Sequence, residues 1–176
     1  MSQQKPLFAP KAGRPEAEFT FFWQGPFSQW YPADITVAGR TFNCGEQFLS
    51  WSKAVLFDDA LTAAKILHTQ RPREQKALGR EVQGFREDVW KCFRGGVVYT
   101  ACYAKFTQHD PLKAMLMATR GTLLVHASPH DRVWGIGLSA DDPGARSKRR
   151  WRGLNLLGFT LTRVREAIAF EERFAR

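Results

Sequence analysis

Apolar positions along the chain fall into a few short strand-like runs and several longer stretches of helical period. Phe19-Thr-Phe-Phe-Trp23 predicts a short aromatic strand. Ile35-Thr-Val37, Ala38-Gly39 and Arg40-Thr-Phe42 read as a tight hairpin, with Gly39 supplying the positive φ of its turn. The pattern then turns helical. Asn43 can cap a helix running to about Phe57, Asp58 or Asp59 a second through His68, and Pro72 suits the first turn of a third. A longer helix covers roughly Arg86 to Phe106, weakened at Gly95-Gly96, and Asp110-Pro111 opens another that Gly121 closes. Leu123-Leu-Val125 is a short buried strand. Leu154, Leu157, Leu161, Val164 and Ile168, at spacings of 3, 4, 3 and 4, make the apolar stripe of a closing amphipathic helix. There is no alternating β-α period, so the expected class is α+β, a single mostly helical domain with a few short strands. Residues 1–17, rich in Pro, Lys, Gly and Glu, are expected to be a loose tail, and residues 18–176 the domain.

Composition narrows the function classes. No apolar run approaches the roughly 18–20 residues of a membrane span, and the N-terminus lacks the apolar stretch of a secretory signal, so the protein is expected to be cytoplasmic and off the membrane. Cys44, Cys92 and Cys102 are odd in number and widely spaced, which fits a reducing compartment. Without Cys-x-x-Cys or His-Glu-x-x-His, and with Pro129 between His126 and His130, neither metal nor cofactor is expected. Charge is uneven: residues 1–88 hold 11 Lys and Arg against 10 Asp and Glu, residues 89–176 hold 15 against 7. Arg146, Lys148, Arg149, Arg150 and Arg152 concentrate the excess in a tract that is either a phosphate or nucleic-acid contact or a solvated loop.

Two segments offer chemistry. Glu46 and Lys53 lie two helical turns apart on nearly one face among Phe48, Trp51 and Phe57, where burial shifts both toward proton-transfer or nucleophilic roles. Equally, Asn43-x-x-Glu46 is the pattern of a capping box, and a helical lysine ordinarily points to water. Asp131, in the Pro-broken run Ser128-Pro-His-Asp-Arg-Val-Trp134-Gly-Ile-Gly137, can face a cationic transition state or form an Asx turn ahead of a structural Trp134. Trp90 is a stacking platform or core; Arg80 and Lys105 are phosphate contacts or solvated cations. His68, His109 and His126 read as structural.

Taken in order, these pieces resemble the NADAR (YbiA-like) family. The matching elements are Phe21-Phe-Trp23 with Pro26-Phe-Ser-Gln-Trp-Tyr-Pro32, Asn43-Cys-Gly-Glu46-Gln47-Phe48 with Lys53-Ala54, and Gln75-Lys-Ala-Leu-Gly-Arg80. They continue through Trp90, Ala104-Lys105-Phe106-Thr-Gln108, Ser128 to Gly137, Trp151-Arg-Gly153-Leu-Asn155-Leu-Leu157-Gly158 and Val164-Arg165. The resemblance implies an N-glycosidase that cleaves between ribose C1′ and a nitrogen, with Glu46, Lys53 and Asp131 catalytic. Trp90, Trp134, Arg80, Lys105, Gln108 and Asn155 would contact substrate. Breaking such a bond builds positive charge at C1′ and O4′ and negative charge on the departing base, so a carboxylate near the sugar and an acid near the base both help. Lys53 then anchors a phosphate or hydroxyl, or attacks C1′ to form a Schiff base. This chain departs from the family pattern at His126, Ser52, Cys102 and the Arg146–Arg152 tract, which bears on substrate choice. The resemblance leaves three functions open: hydrolysis of phosphorylated ribosylamino-pyrimidine intermediates of riboflavin biosynthesis, removal of ADP-ribose from guanine in nucleic acid, and non-catalytic binding of ADP-ribose or NAD-derived ligands.

Overall fold

The computed structural model describes residues 19–175, and the expected tail, residues 1–17, lies outside them. The elements run β1 (Phe19–Phe22), β2 (Ile35–Val37), β3 (Arg40–Phe42), α1 (Gly45–Leu56), α2 (Ala60–His68), α3 (Pro72–Arg80), α4 (Glu87–Gln108), α5 (Asp110–Met117), β4 (Leu123–His126) and α6 (Leu156–Phe174). The class is α+β, mostly helical, as the hydrophobic periods predict.

β2 and β3 pair antiparallel, Ile35 opposite Phe42. Both turn residues, not Gly39 alone, take positive φ: Ala38 at 48° and Gly39 at 78°, the two-residue turn whose twist suits a hairpin. β1 pairs with β4 in parallel, Phe19 opposite Leu123 and Phe22 opposite His126. A parallel pair needs a long crossover, and here everything from β2 to α5 lies within it. That crossover brings His126 and the loop after it beside the loop that follows Phe22.

α4 runs unbroken through Gly95 and Gly96, where weakening was expected. Each glycine costs about 1 kcal/mol relative to Ala in a helix; packing of Val98, Cys102 and Phe106 against Leu124, Leu161 and Val164 outweighs it. Asp59 caps α2 by accepting from Thr62 N at 3.0 Å, and Pro72 opens α3. α5 ends at Met117, ahead of Gly121. The stripe on α6 is buried at Leu157, Leu161, Val164 and Ile168, but Leu154 precedes the helix and is 55% exposed.

α6 closes on β4 through Gly158, where a Cβ would come within 2.2 Å of the Leu124 carbonyl oxygen and 2.5 Å of Asn155 Oδ1. Buried Arg165 ties the same helix to the turn after α5, donating to the carbonyls of Thr119 and Thr122. Gly158→Ala is therefore expected to destabilise the fold by about 2 kcal/mol, and thermal denaturation should show a melting point about 4–8 °C lower. An unchanged melting point would show that β4 yields freely.

Candidate active site

The site begins at the first turn of α1. The helix starts one residue later than Asn43 implies: Cys44 occupies the N-cap position, and Asn43 turns its side chain to the Gln70 carbonyl. Gln47, not Glu46, reaches back, its Oε1 accepting from Asn43 N at 2.8 Å. Glu46 is thereby released from capping. Its backbone N–H bonds the Gln29 carbonyl at 2.9 Å; its carboxyl takes Trp30 Nε1–H at 3.1 Å on Oε2 and Ser50 Oγ–H at 3.2 Å on Oε1. The residue is only 7% exposed, and burial raises its pKa above the usual carboxyl value. Lys76 and the two donors oppose that rise, and Asp131 adds to it.

Glu46 lines a cavity of about 550 Å³ whose far wall is the loop after β4. There Asp131 forms the Asx turn and also lines the cavity. Its Oδ1 accepts from Val133 N at 2.9 Å and Trp134 N at 2.7 Å, which makes the Asx turn. Among the described residues Oδ2 receives no hydrogen bond, and Asp131 lines the cavity. Gly135 is required behind this turn: a Cβ would stand 2.8 Å from the His126 carbonyl oxygen and 2.9 Å from that of Asp131. Trp134 forms part of the wall, and Trp23 and Trp30, 49% and 41% exposed, sit at the rim. Lys76 also lines the cavity, with Nζ 5.7 Å from the Trp30 ring centre.

Of the residues singled out in the sequence, Glu46, Asp131 and Trp134 meet at this cavity. Lys53 does not line it. Its Nζ donates to the Gly79 carbonyl at 2.7 Å and lies 4.1 Å from the Phe85 ring centre, half-buried, with a pKa lowered chiefly by burial. Ser50 connects the two regions: it holds Glu46, and Gly79 lies so close that a Cβ there would be 2.8 Å from Ser50 Oγ. Trp90 belongs to the core at 8% exposure, with Lys53 Nζ 5.9 Å away. Arg80 is exposed on α3, and Lys76, four residues earlier, is the basic residue of that helix at the cavity.

The other three expected contacts have their polar groups engaged by the scaffold. Lys105, 2% exposed, donates to the Ser28 carbonyl at 2.9 Å, and burial lowers its pKa to about 8. Gln108 brackets β2, accepting from Thr36 N and donating to Thr36 O, each at 2.8 Å. Asn155, at a left-handed φ of 51°, accepts from His126 N at 2.9 Å and donates to the Leu124 carbonyl at 3.1 Å. Sequence reasoning missed Trp23, Trp30, Lys76 and His126. The Pro26–Pro32 run and the phase of α3 were the available signals: Gln75 and Gly79 are the buried positions, which turns Lys76 toward α1.

No metal-binding group of three His, Cys, Asp or Glu occurs among the described residues, and no helix there is long and apolar enough to cross a membrane.

The NADAR domain family model matches residues 19–169, nearly all of the described chain. The chain belongs to the NADAR family. It is 38% identical over 135 residues to Protein irg-1 of Caenorhabditis elegans, covering 76% of this chain and 64% of that one, so it spans less than two thirds of the worm protein. It is 34% identical over 145 residues to N-glycosidase R617 of Acanthamoeba polyphaga mimivirus, covering 80% of this chain and 85% of the viral one. A riboflavin biosynthesis protein, chloroplastic PYRR of Arabidopsis thaliana, is 35% identical over 105 residues, 57% of this chain and 16% of the plant protein. The NMR structure of Escherichia coli YbiA matches with a TM-score of 0.74 at 26% identity, covering 93% of this chain and 92% of that one. NADAR membership with relatives named N-glycosidase places the chain among hydrolases of N-glycosyl bonds.

Proposed function

We propose that the protein hydrolyses the bond between ribose C1′ and nitrogen in phosphorylated ribosylamino-pyrimidine intermediates of riboflavin biosynthesis. One observation carries this reading: a buried carboxyl, Glu46, and a carboxyl with an unbonded oxygen, Asp131, line one indole-walled cavity. Glu46, held toward its protonated form by burial, donates a proton to the departing nitrogen. Asp131 Oδ2 stabilises the positive charge that develops at C1′ and O4′. Trp134, Trp30 and Trp23 stack on the heterocycle, and Lys76 pairs with the phosphate. The relative named for riboflavin biosynthesis supports the choice of substrate.

Lys53 takes a positioning role in this reading, fastening α1 to α3 behind Ser50. Borohydride added during turnover should leave the protein mass unchanged, and Lys53→Ala should lose no more than about tenfold in kcat, well under the 10²–10⁴ of a proton-transfer group. A covalent ribosyl adduct at Lys53 would restore the Schiff-base route.

A second reading, removal of ADP-ribose from guanine in nucleic acid, is favoured by one observation. Arg146, Lys148, Arg149, Arg150 and Arg152 are exposed, and their segment is bonded to the cavity loop through Arg152 N to Ile136 O at 2.9 Å and Leu154 N to Arg132 O at 2.9 Å. The two readings separate on incubation with 5-amino-6-ribosylamino-uracil 5′-phosphate or ADP-ribosylated guanosine DNA, with ribose 5-phosphate or ADP-ribose release followed by mass spectrometry. Release from the first alone is expected. KM for it should change little from 50 to 200 mM salt, whereas a substrate engaging five or more phosphates would weaken on the order of 10³-fold. Release from DNA alone would replace the first reading by the second, and ligand binding without release from either would point to a binding module.

A further inference from the structure

His126 is a partly buried titratable group at the cavity that the mechanism above leaves unused. It ends β4, and its ring lies on Phe22, with centres 5.2 Å apart and planes 13° from parallel. Its backbone N–H is fixed by Asn155 Oδ1. Nδ1 is sealed against Gly135, 3.2 Å from where a side chain there would begin, and the Trp134 backbone beside the ring does not reach it in good hydrogen-bond geometry. A histidine kept for packing ordinarily satisfies its buried nitrogen, because an unmade hydrogen bond in the interior is destabilising. The two nitrogens are therefore unequal: one is walled in by backbone, and proton exchange with the cavity falls to Nε2.

Resting on the N-glycosidase reading, we infer that His126 is the general base of the reaction, its Nε2 taking a proton from the water that attacks C1′. In that step the water oxygen bonds C1′ and the C1′–N bond breaks. The bonding pair goes to the departing nitrogen, which takes the Glu46 proton, while His126 holds the proton from water. The amine and ribose 5-phosphate leave, and the proton on His126 returns through the cavity to the Glu46 carboxylate, which restores both groups.

The surroundings keep the ring ready to accept. Burial lowers the His126 pKa below the ordinary histidine value, and Lys76 lowers it further; Asp131 and the Trp134 backbone oppose this. The titratable groups that line the cavity with it are Tyr31 on the loop after β1, Glu46 on α1, Lys76 on α3, and His130 and Asp131 on the loop after β4. Phe22 on β1 and Leu157 on α6 add no charge. At neutral pH the imidazole is thus unprotonated while Glu46 is biased toward its acid form, the opposed pair that hydrolysis of this bond requires.

The test is the pH profile of kcat/KM with the ribosylamino-pyrimidine phosphate for wild type, His126→Gln and His126→Asn. Wild type should lose activity as pH falls through the lowered His126 pKa. The variants should lose about 10²-fold at pH 7 and lack that acid limb. Retention of both rate and limb in a folded variant overturns the inference while leaving the N-glycosidase reading intact. Failure of the wild type to release ribose 5-phosphate overturns the proposed reaction and the inference with it. Should neither variant fold, the imidazole of wild-type His126, identified by its contact with the Phe22 ring, is titrated by NMR with and without ribose 5-phosphate. A midpoint below the ordinary value that moves on addition supports the inference, and a signal indifferent to ribose 5-phosphate overturns it.

Discussion

Glu46→Gln should reduce kcat by about 10³-fold while leaving the protein folded, because it removes the one proton the departing nitrogen requires. The amide keeps the shape, and its carbonyl still accepts from Trp30 Nε1 or Ser50 Oγ, so KM should move little. A direction for pH follows. The acid acts only when protonated, so, above the acid limb assigned to His126, wild-type kcat is expected to fall as pH rises through the raised Glu46 pKa. Stability carries the same sign: a carboxyl whose folded pKa exceeds its unfolded value contributes stability below the unfolded pKa and loses it as pH rises through the folded one. The Gln variant should accordingly melt no lower than wild type at neutral pH, and a marked loss of melting temperature would recast Glu46 as a structural residue.

Asp131 is expected to separate into two effects. Asp131→Asn retains an oxygen for the Val133 and Trp134 N–H groups but removes the negative charge, so the loop holds and kcat falls about 10²–10³-fold, the scale of losing one electrostatic contact with a charged transition state. Asp131→Ala removes the turn as well and should lower the melting temperature in addition to kcat. Equal kcat in wild type and Asp131→Asn, measured at substrate saturation, would assign Asp131 to the turn alone.

The α-helices and strands were legible from two signals: the period of the apolar residues, plainest in Leu157, Leu161, Val164 and Ile168 on α6, and the capping Asp and Pro residues that open α2, α3 and α5. The short 3-10 turns at Gly25–Phe27 and Lys148–Arg150 bury no residue and carried no such signal. Departures are local and physical. Gly95 and Gly96 do not interrupt α4 because the buried face on either side outweighs their propensity, and Leu154 follows the stripe's spacing yet stands outside the helix. The site was legible in part. Glu46 and Asp131 stand out as acidic residues at a helix start and in a Gly-rich turn, but a capping box fits Glu46 equally well, and only a one-residue shift of the N-cap to Cys44 separates them. Lys105, Gln108 and Asn155 look like surface ligands in one dimension. Their hydrogen bonds to Ser28, Thr36 and Leu124 join segments 31 to 77 residues apart, a relation that spacing cannot encode. His126 and Lys76 reach the cavity only because β4 pairs with β1 across the long crossover and α3 packs on α1 within it.

The central claim is that the N-ribosyl bond is held between Glu46 and Asp131, and a crystal structure of Glu46→Gln with uncleaved 5-amino-6-ribosylamino-uracil 5′-phosphate addresses it most directly. The account predicts C1′ beside Asp131 Oδ2, the leaving nitrogen within hydrogen-bond reach of residue 46, and the heterocycle against the cavity indoles. Substrate bound instead over Lys53 and Phe85, with the cavity empty, would contradict it.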